Sequence, residues 1–153
     1  MASERRPQTI VVGYDGSGAA RAALAYAARQ AGPGGRVYVV HAYHPPPDFL
    51  GSPTYQDMLS HHRRRGETLL SELSLDDEEL AGPEYETELI GGPPAHSIDS
   101  VARARDADEI VVGARGLGRM RALLGSVSLE LLHIADRPVV VIPTAAAANA
   151  AGH

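Results

Sequence analysis

The first apolar segment of the chain reads Thr9-Ile-Val-Val-Gly-Tyr14. Its residues are mostly β-branched and nearly all apolar, which is typical of a strand that is covered on both faces. Ser17 then stands at a capping position, and the alanine-rich segment after it predicts a helix that ends at about residue 31. The chain therefore opens with a strand, a turn and a helix, the unit from which parallel sheets are built.

The same alternation continues along the chain. Further strands are predicted at 36–43, 84–90, 109–113 and 138–143, and further helices at about 55–75, 95–104 and 126–135. Strands that alternate with helices predict an α/β fold with a parallel sheet and right-handed crossovers. Doubly wound sheets bind ligands beyond the carboxyl ends of their strands, where the strand order reverses. The residues directly after each strand are therefore the candidates for a site.

Length and composition limit the classes of protein that the sequence can encode. The 153 residues suit one domain, which we expect at 9–143 between a flexible N-terminus, 1–8, and an alanine-rich tail, 144–153. A net charge of −5 argues against a general nucleic-acid binder. There is neither an apolar run of membrane-spanning length nor an apolar stretch typical of a signal peptide. We therefore expect a cytoplasmic protein that binds neither nucleic acid nor membrane.

Cysteine and lysine, two residue types with distinctive chemistry, are both missing from the sequence. Cysteine is absent, which excludes disulfides and thiol chemistry. All 14 basic residues are arginine. Without lysine, a P-loop lysine, a Schiff base and a lysine general base are excluded. The absence of lysine also argues against a phosphoacceptor response regulator, which carries a lysine after a late strand and an aspartate at the end of strand three; here that strand ends in Leu89-Ile-Gly-Gly92.

Two strands end in the same way. Ile10-Val-Val-Gly13 and Ile110-Val-Val-Gly113 are identical, and each continues as Gly-x-x-Gly-x-Gly. The spacing differs from the dinucleotide fingerprint Gly-x-Gly-x-x-Gly. If the first and fourth strands adjoin where the strand order reverses, both glycine turns line one crevice. The alternative is that this motif is simply how buried strands end.

The second glycine segment runs into a predicted helix start. Gly113, Gly116 and Gly125 precede a helix whose first turn contains Ser126 and Ser128. Glycine allows close approach of the backbone to a phosphate, and a helix N-terminus offers unpaired N–H groups to an anion. The two hydroxyls add donors, although Ser126 could instead serve only as an N-cap. We interpret the segment as an anion site.

Asp15 directly follows the first strand. Its carboxylate would repel phosphate but could accept hydrogen bonds from a ribose or an adenine amino group. The alternative is a turn residue in Asp15-Gly-Ser17. Both interpretations are compatible with a nucleotide whose sugar lies at the first strand and whose phosphates lie at the fourth.

Several motifs together resemble the universal stress protein family. The resemblance covers about 9–143 and rests on motifs in the family's order: Val12-Gly-Tyr-Asp-Gly-Ser17, Gly92-Pro-Pro-Ala-His-Ser-Ile98, Val112-Gly-x-x-Gly116, Gly125-Ser-Val127 and Pro138-Val-Val-Val-Ile142. The resemblance implies a doubly wound, five-stranded parallel sheet with helices on both faces, Rossmann-like and of the adenine nucleotide α-hydrolase type. It also implies a stress-response regulatory protein that binds ATP or another adenine nucleotide, with or without Mg²⁺, and a homodimer joined through Val139–Ile142.

The resemblance also implies a role for each site residue. Asp15 would contact the adenosine, and the main chain near Ala42 would contact the base. Ribose and phosphates would be held by residues near the fourth strand and the following helix start, with Val112 and Gly13 lining the cleft: Gly113, Gly116, Gly125, Ser126 and Val127, with Ser128 in the same turn.

One departure from the family pattern lies between the second glycine and the Gly-Ser pair. ATP-binding members have nine residues there, whereas this chain has eight, from Leu117 to Leu124. Two alternatives therefore stay open: a homodimeric interaction module with an empty cleft, and a slow ATPase. No evident catalytic base lies beside the phosphates.

The seven histidines predict no metal site. His61 and His62 are adjacent on a helix and diverge by about a quarter turn, so joint ligation is not expected. His41 and His133 are interpreted as residues at the edge of the core.

Overall fold

The computed structural model describes residues 5–43, 53–114 and 124–143. Ten elements follow one another in these ranges: β1 (Thr9–Gly13), α1 (Gly18–Ala31), β2 (Arg36–Tyr43), α2 (Pro53–Ser71), a 3₁₀ turn (Glu78–Leu80), β3 (Glu84–Gly91), α3 (Pro94–Ala104), β4 (Glu109–Gly113), α4 (Ser126–Ile134) and β5 (Val139–Ile142). The predicted strands and helices are all present, most within two residues of the expected bounds.

The five strands form one parallel sheet in the order β3-β2-β1-β4-β5. β1 and β4 are neighbours at the point where the strand order reverses, which confirms the arrangement that places both glycine turns together. Their apolar residues are almost completely inaccessible because layers of helices cover both faces of the sheet. The predicted doubly wound α/β fold is confirmed.

Each face of the sheet has its own core. On one face, α1 and the end of α2 pack against Ile10, Val12, Val37 and Val39. On the other, α3 and α4 pack against Val11, Val40, Ile110 and Val112. The two sets alternate along the strands because successive side chains of a strand point to opposite faces.

α1 begins as the sequence predicts and lies unusually close to the sheet. Ser17 Oγ accepts a hydrogen bond from Ala20 N over 3.1 Å, which confirms Ser17 as the N-cap. The buried face of the helix consists almost entirely of alanine. A Cβ placed on Gly113 of β4 would lie 2.6 Å from Ala19 Cβ. Gly113 is therefore required for the close approach of helix and strand.

Two expectations differ from the structure. α2 ends at Ser71 rather than near residue 75, because Leu73 and Leu75 instead join the core from the connection that follows. His133, expected at the core edge, is exposed on α4, whose buried face is formed by Ser128 and Leu131. No helix in the described ranges combines the length and apolar character needed to cross a membrane.

Candidate functional site

A cleft of about 450 Å³ opens above the carboxyl ends of β1 and β4. This volume lies within the range typical of small-molecule sites. The lining comes from β1, the start of α1, β2, α3, β4 and the start of α4: Gly13, Tyr14, Asp15, Ser17, Ala20, Val40, His41, Ala42, Pro94, Ile98, Val112, Gly113, Ala114, Gly125, Ser126, Val127 and Ser128. Every predicted site residue that the structure describes is in this set. Gly116 lies outside the described residues.

Glycine at the end of β1 leaves room for a side chain of α3. A Cβ on Gly13 would lie 2.7 Å from Ile98 Cδ1 and 3.0 Å from Val112 Cγ1. An alanine here would force the end of the Ile98 side chain to shift and would press tightly against Val112. The absent side chain allows Ile98 to reach over the strand end and form an apolar wall of the cleft.

Asp15 lies at the rim and serves the turn into α1. Its Oδ1 accepts a hydrogen bond from Ser17 N over 2.9 Å, and Gly16 between them has φ +82°, a conformation that favours glycine. This is the turn role that the sequence allowed. The side chain is exposed, and Oδ2 has no hydrogen-bond partner among the described residues. One carboxylate oxygen thus shapes the turn and the other can accept from a ligand.

The backbone of Ala42 is open to the cleft. Tyr14 N donates to Val40 O over 2.8 Å, and this is the last rung between β1 and β2 in the described chain. In a parallel pair, residues two apart on a strand direct their N–H and C=O to the same side. Ala42 therefore points its N–H and C=O past the end of β1, where the cleft lies. One residue offers a donor and an acceptor side by side.

The start of α4 closes the opposite side of the cleft. Gly125 is the N-cap, with φ −66° and ψ 161°, and its N–H donates to Ala114 O over 2.6 Å. This bond joins the two ends of the connection between β4 and α4. The N-cap role suggested for Ser126 is therefore wrong, since Ser126 is the first helical residue. Its exposed side chain is at the cleft and makes no capping bond.

Ser128 has a different role from the one expected. Its hydroxyl was expected to be a donor toward an anion. Instead Oγ lies 2.9 Å from Ala114 O and 2.9 Å from Gly125 O, and the residue is 1% exposed. A hydroxyl has a single proton to donate, and these carbonyls occupy it. The residue can face an anion only through its main-chain N–H.

Eight residues of the described lining were not identified as site residues from the sequence: Tyr14, Ser17, Ala20, Val40, His41, Pro94, Ile98 and Ala114. Pro94 and Ile98 come from α3, and His41 comes from β2. The turn before α3 and its apolar spacing are signals that could have indicated Pro94 and Ile98. His41 was assigned to the core edge, but its Nδ1 lies 2.8 Å from Tyr14 O at the cleft. Nothing in the local sequence indicates that contact.

The described lining carries little charge. Asp15 supplies a carboxylate, while Tyr14 is buried and burial raises the pKa of its phenol above the usual value. The hydroxyl of Tyr14 therefore remains neutral at physiological pH. The walls formed by Val40, Ile98, Val112 and Val127 are apolar, which suits the faces of an aromatic ring. Across the described ranges, no three His, Asp or Glu side chains are grouped to hold a metal ion.

Comparison with known proteins identifies relatives over nearly the whole chain. The sequence model of the universal stress protein family matches residues 7–143. A universal stress protein of Thermus aquaticus, named for its position in the QAH/OAS sulfhydrylase 3′ region, is 39% identical over 138 residues, covering 88% of this chain and 98% of the relative.

Solved structures share the fold. UspA from Lactobacillus plantarum superposes with a TM-score of 0.69 at 23% identity, covering 91% of this chain and 99% of its own. A universal stress protein family protein of Arabidopsis thaliana, solved with AMP bound, gives a TM-score of 0.63 at 20% identity, covering 90% of this chain and 92% of its own. At these identities the structures show a common fold, while the family model and the Thermus relative show membership. The chain belongs to the universal stress protein family.

Proposed function

We propose that this universal stress protein binds an adenine nucleotide, ATP in particular, in the cleft above β1 and β4 and acts as a regulatory protein of the stress response. The observation that carries the proposal is that the N–H and C=O of Ala42 have no backbone partner among the described residues and lie at a cleft with apolar walls. A purine needs apolar contacts on its faces and directed hydrogen bonds at its edge, and this cleft offers both. The AMP bound to the Arabidopsis protein of the same fold supports the proposal.

In the proposed complex, one face of the base lies against Ile98 and Val112 with its edge at Ala42. The ribose lies near Gly13, where the open Oδ2 of Asp15 accepts from a sugar hydroxyl. Adenine fits the main-chain pair because its amino group donates and its neighbouring ring nitrogen accepts. With these placements, the adenosine contacts more of the described residues than the phosphates do.

The phosphates are placed at the start of α4. The first-turn N–H groups of Ser126, Val127 and Ser128 are directed out of the helix end, and Gly113 and Gly116 are the glycines proposed to allow close approach. The Gly125 N–H is already bonded to Ala114 O, so Gly125 contributes by its position in the turn. Asp15 is the sole carboxylate in the described lining. A Mg²⁺ ion would therefore be held mainly by the phosphates and water.

Calorimetry with AMP, ADP, ATP and GMP tests the proposal, together with extraction of any nucleotide that co-purifies. We expect adenine nucleotides to bind and GMP to bind at least about tenfold more weakly, since guanine presents a donor and an acceptor in the reversed order. Equal affinity for AMP and GMP would contradict placement of the base at Ala42. No heat with any of the four would contradict the function itself.

We also propose that the protein is a cytoplasmic homodimer joined through β5. β5 is an edge strand of the sheet and consists of four apolar residues, and such edges are normally covered. Leu129 and Leu132, on the helix α4 that packs against β5, are each 49% exposed. The same exposed surface favours the second candidate function, a dimeric interaction module whose cleft binds no nucleotide. The calorimetric experiment distinguishes the two.

A further inference from the structure

The rung beside Ala42 is missing where a neighbouring side chain contacts the same carbonyl oxygen. A regular parallel ladder would continue from Tyr14 N–Val40 O to a bond between Ala42 N–H and Tyr14 O. That bond does not form. Tyr14 O instead lies 2.8 Å from Nδ1 of His41. Since a carbonyl oxygen can only accept, Nδ1 carries the proton and donates it.

The imidazole of His41 reaches Tyr14 O from one face of the sheet, and the Ala42 side chain points to the other face. His41 follows Val37 and Val39 on the face covered by α1 and α2. Above it lies Gly66 of α2, which is buried: a Cβ there would be 3.0 Å from His41 Cδ2 and 2.5 Å from Leu89 Cδ1. The ring thus lies against a helix that approaches closely because it carries glycine at this position. Packing and the hydrogen bond together fix the orientation of the ring.

We propose that His41 is the positioning residue that makes the cleft selective for adenine over guanine. The proposal rests on the proposed function. By donating to Tyr14 O, His41 holds the direction of that carbonyl, and Ala42 N–H, which does not bond to it, stays available for a ring nitrogen that accepts. The base itself contacts Ala42, and His41 acts through the backbone. Guanine meets this arrangement with a ring N–H facing the Ala42 N–H and with its carbonyl facing the Ala42 C=O, so both partners stay unpaired.

The AMP and GMP affinities of His41 variants test this positioning role. His41→Leu releases the Tyr14 carbonyl to turn and pair with Ala42 N–H, so AMP affinity falls about tenfold or more, and the ratio of AMP to GMP affinity narrows toward one. His41→Asn retains selectivity because an asparagine amide can donate from near the position of Nδ1. His41→Gln, whose amide extends past that position, does not. Equal selectivity of the leucine variant and the wild type overturns the proposal, and so does equal behaviour of the Asn and Gln variants.

A control variant separates positioning from general destabilisation. Tyr85→Phe removes a partly buried hydrogen bond from the Tyr85 hydroxyl to Leu80 O, on β3 and away from the cleft. It lowers the thermal midpoint but keeps AMP affinity and selectivity. Loss of selectivity in this variant as well would overturn the assignment to His41, because stability alone would then explain the effect.

Amide hydrogen exchange tests the same inference without nucleotide. In the free wild type, the Ala42 amide exchanges much faster than the Val40 amide, and in His41→Leu it becomes protected. An Ala42 amide as protected as Val40 in the wild type overturns the proposal. Wild-type protein that binds neither AMP nor GMP overturns the proposed function, and base selection by His41 with it. If His41→Leu keeps the selectivity of the wild type, the inference about His41 is overturned and the proposed function is not.

Discussion

Ser128 ties the start of α4 to the end of β4: its Oγ lies 2.9 Å from the carbonyl oxygen of Ala114. Two residues earlier, the side chain of Ser126 is exposed at the cleft. The two serines of this first turn are therefore expected to respond differently to the same substitution.

Ser128→Ala should lower the free energy of unfolding by about 0.5–1.5 kcal/mol, because one hydrogen bond of a buried hydroxyl is lost while Ala114 O and Gly125 O keep their backbone donors. Ser126→Ala should leave stability nearly unchanged and weaken binding of an adenine nucleotide by roughly 0.5–1.5 kcal/mol, the usual range for one hydrogen bond. Urea unfolding and calorimetry measure the two effects. Equal loss of stability in both variants would contradict this division of roles.

Two substitutions of Asp15 distinguish the roles of its two carboxylate oxygens. Asp15→Ala should weaken nucleotide affinity by roughly 1–3 kcal/mol, and it should also lower stability slightly because Ser17 N loses its acceptor. Asp15→Asn can keep that acceptor while removing the charge and the second acceptor oxygen. We therefore expect the asparagine variant to unfold at nearly the wild-type temperature yet bind nucleotide more weakly. Wild-type affinity in both variants would reduce Asp15 to a turn residue.

The eight-residue spacing between Gly116 and Gly125 predicts a weak hold on the outer phosphates. One residue fewer shortens the reach of the connection by about 3.5 Å, similar to the length of a hydrogen bond. The bond from Gly125 N to Ala114 O already fixes the two ends of this connection, so the segment between them must absorb the loss. The segment, including Arg115, Arg119 and Arg121, lies outside the described residues.

Calorimetry with ATP and AMP measures how much the outer phosphates contribute to affinity. We expect ATP to bind little more tightly than AMP, and we expect insertion of one residue after Leu123 to restore a preference for ATP. Arginines of the connection could compensate by pairing with phosphates. Wild-type protein that binds ATP at least tenfold more tightly than AMP, about 1.4 kcal/mol, would contradict the prediction.

The homodimer can be tested at the backbone of β5. Ile110 N and Ala114 N donate to Pro138 O and Ile142 O, so alternation directs the N–H of Val141 away from β4 toward the open edge. Val141→Pro removes that donor without removing a bond to β4, and we expect it to yield folded monomer by light scattering. Val141→Ala, which keeps the N–H, should remain dimeric. A wild-type monomer at micromolar concentration would contradict the proposed dimer.

The fold and most of the described cleft could be predicted from the sequence because their signals are local. Completely apolar strands, an N-cap serine and glycines at strand ends each depend on the residues immediately around them. His41 could not be predicted in this way, since its contact with Tyr14 O depends on how two strands diverge beyond Gly13. The direction of the Ser128 hydroxyl likewise depends on Ala114, 14 residues away in the chain. Contacts of that kind arise only when the elements have packed.

The close approach of Ala19 to Gly113 limits how this cleft could be remodelled. This side of the cleft can hardly be enlarged by trimming side chains, since Gly113 has none and the buried face of α1 consists almost entirely of alanine. Redesign for a bulkier ligand would have to act at Ile98, Val112 and Val127, whose side chains form the other wall. The side of the cleft at α1 thus fixes its dimensions, and the opposite side is where new specificities can be engineered.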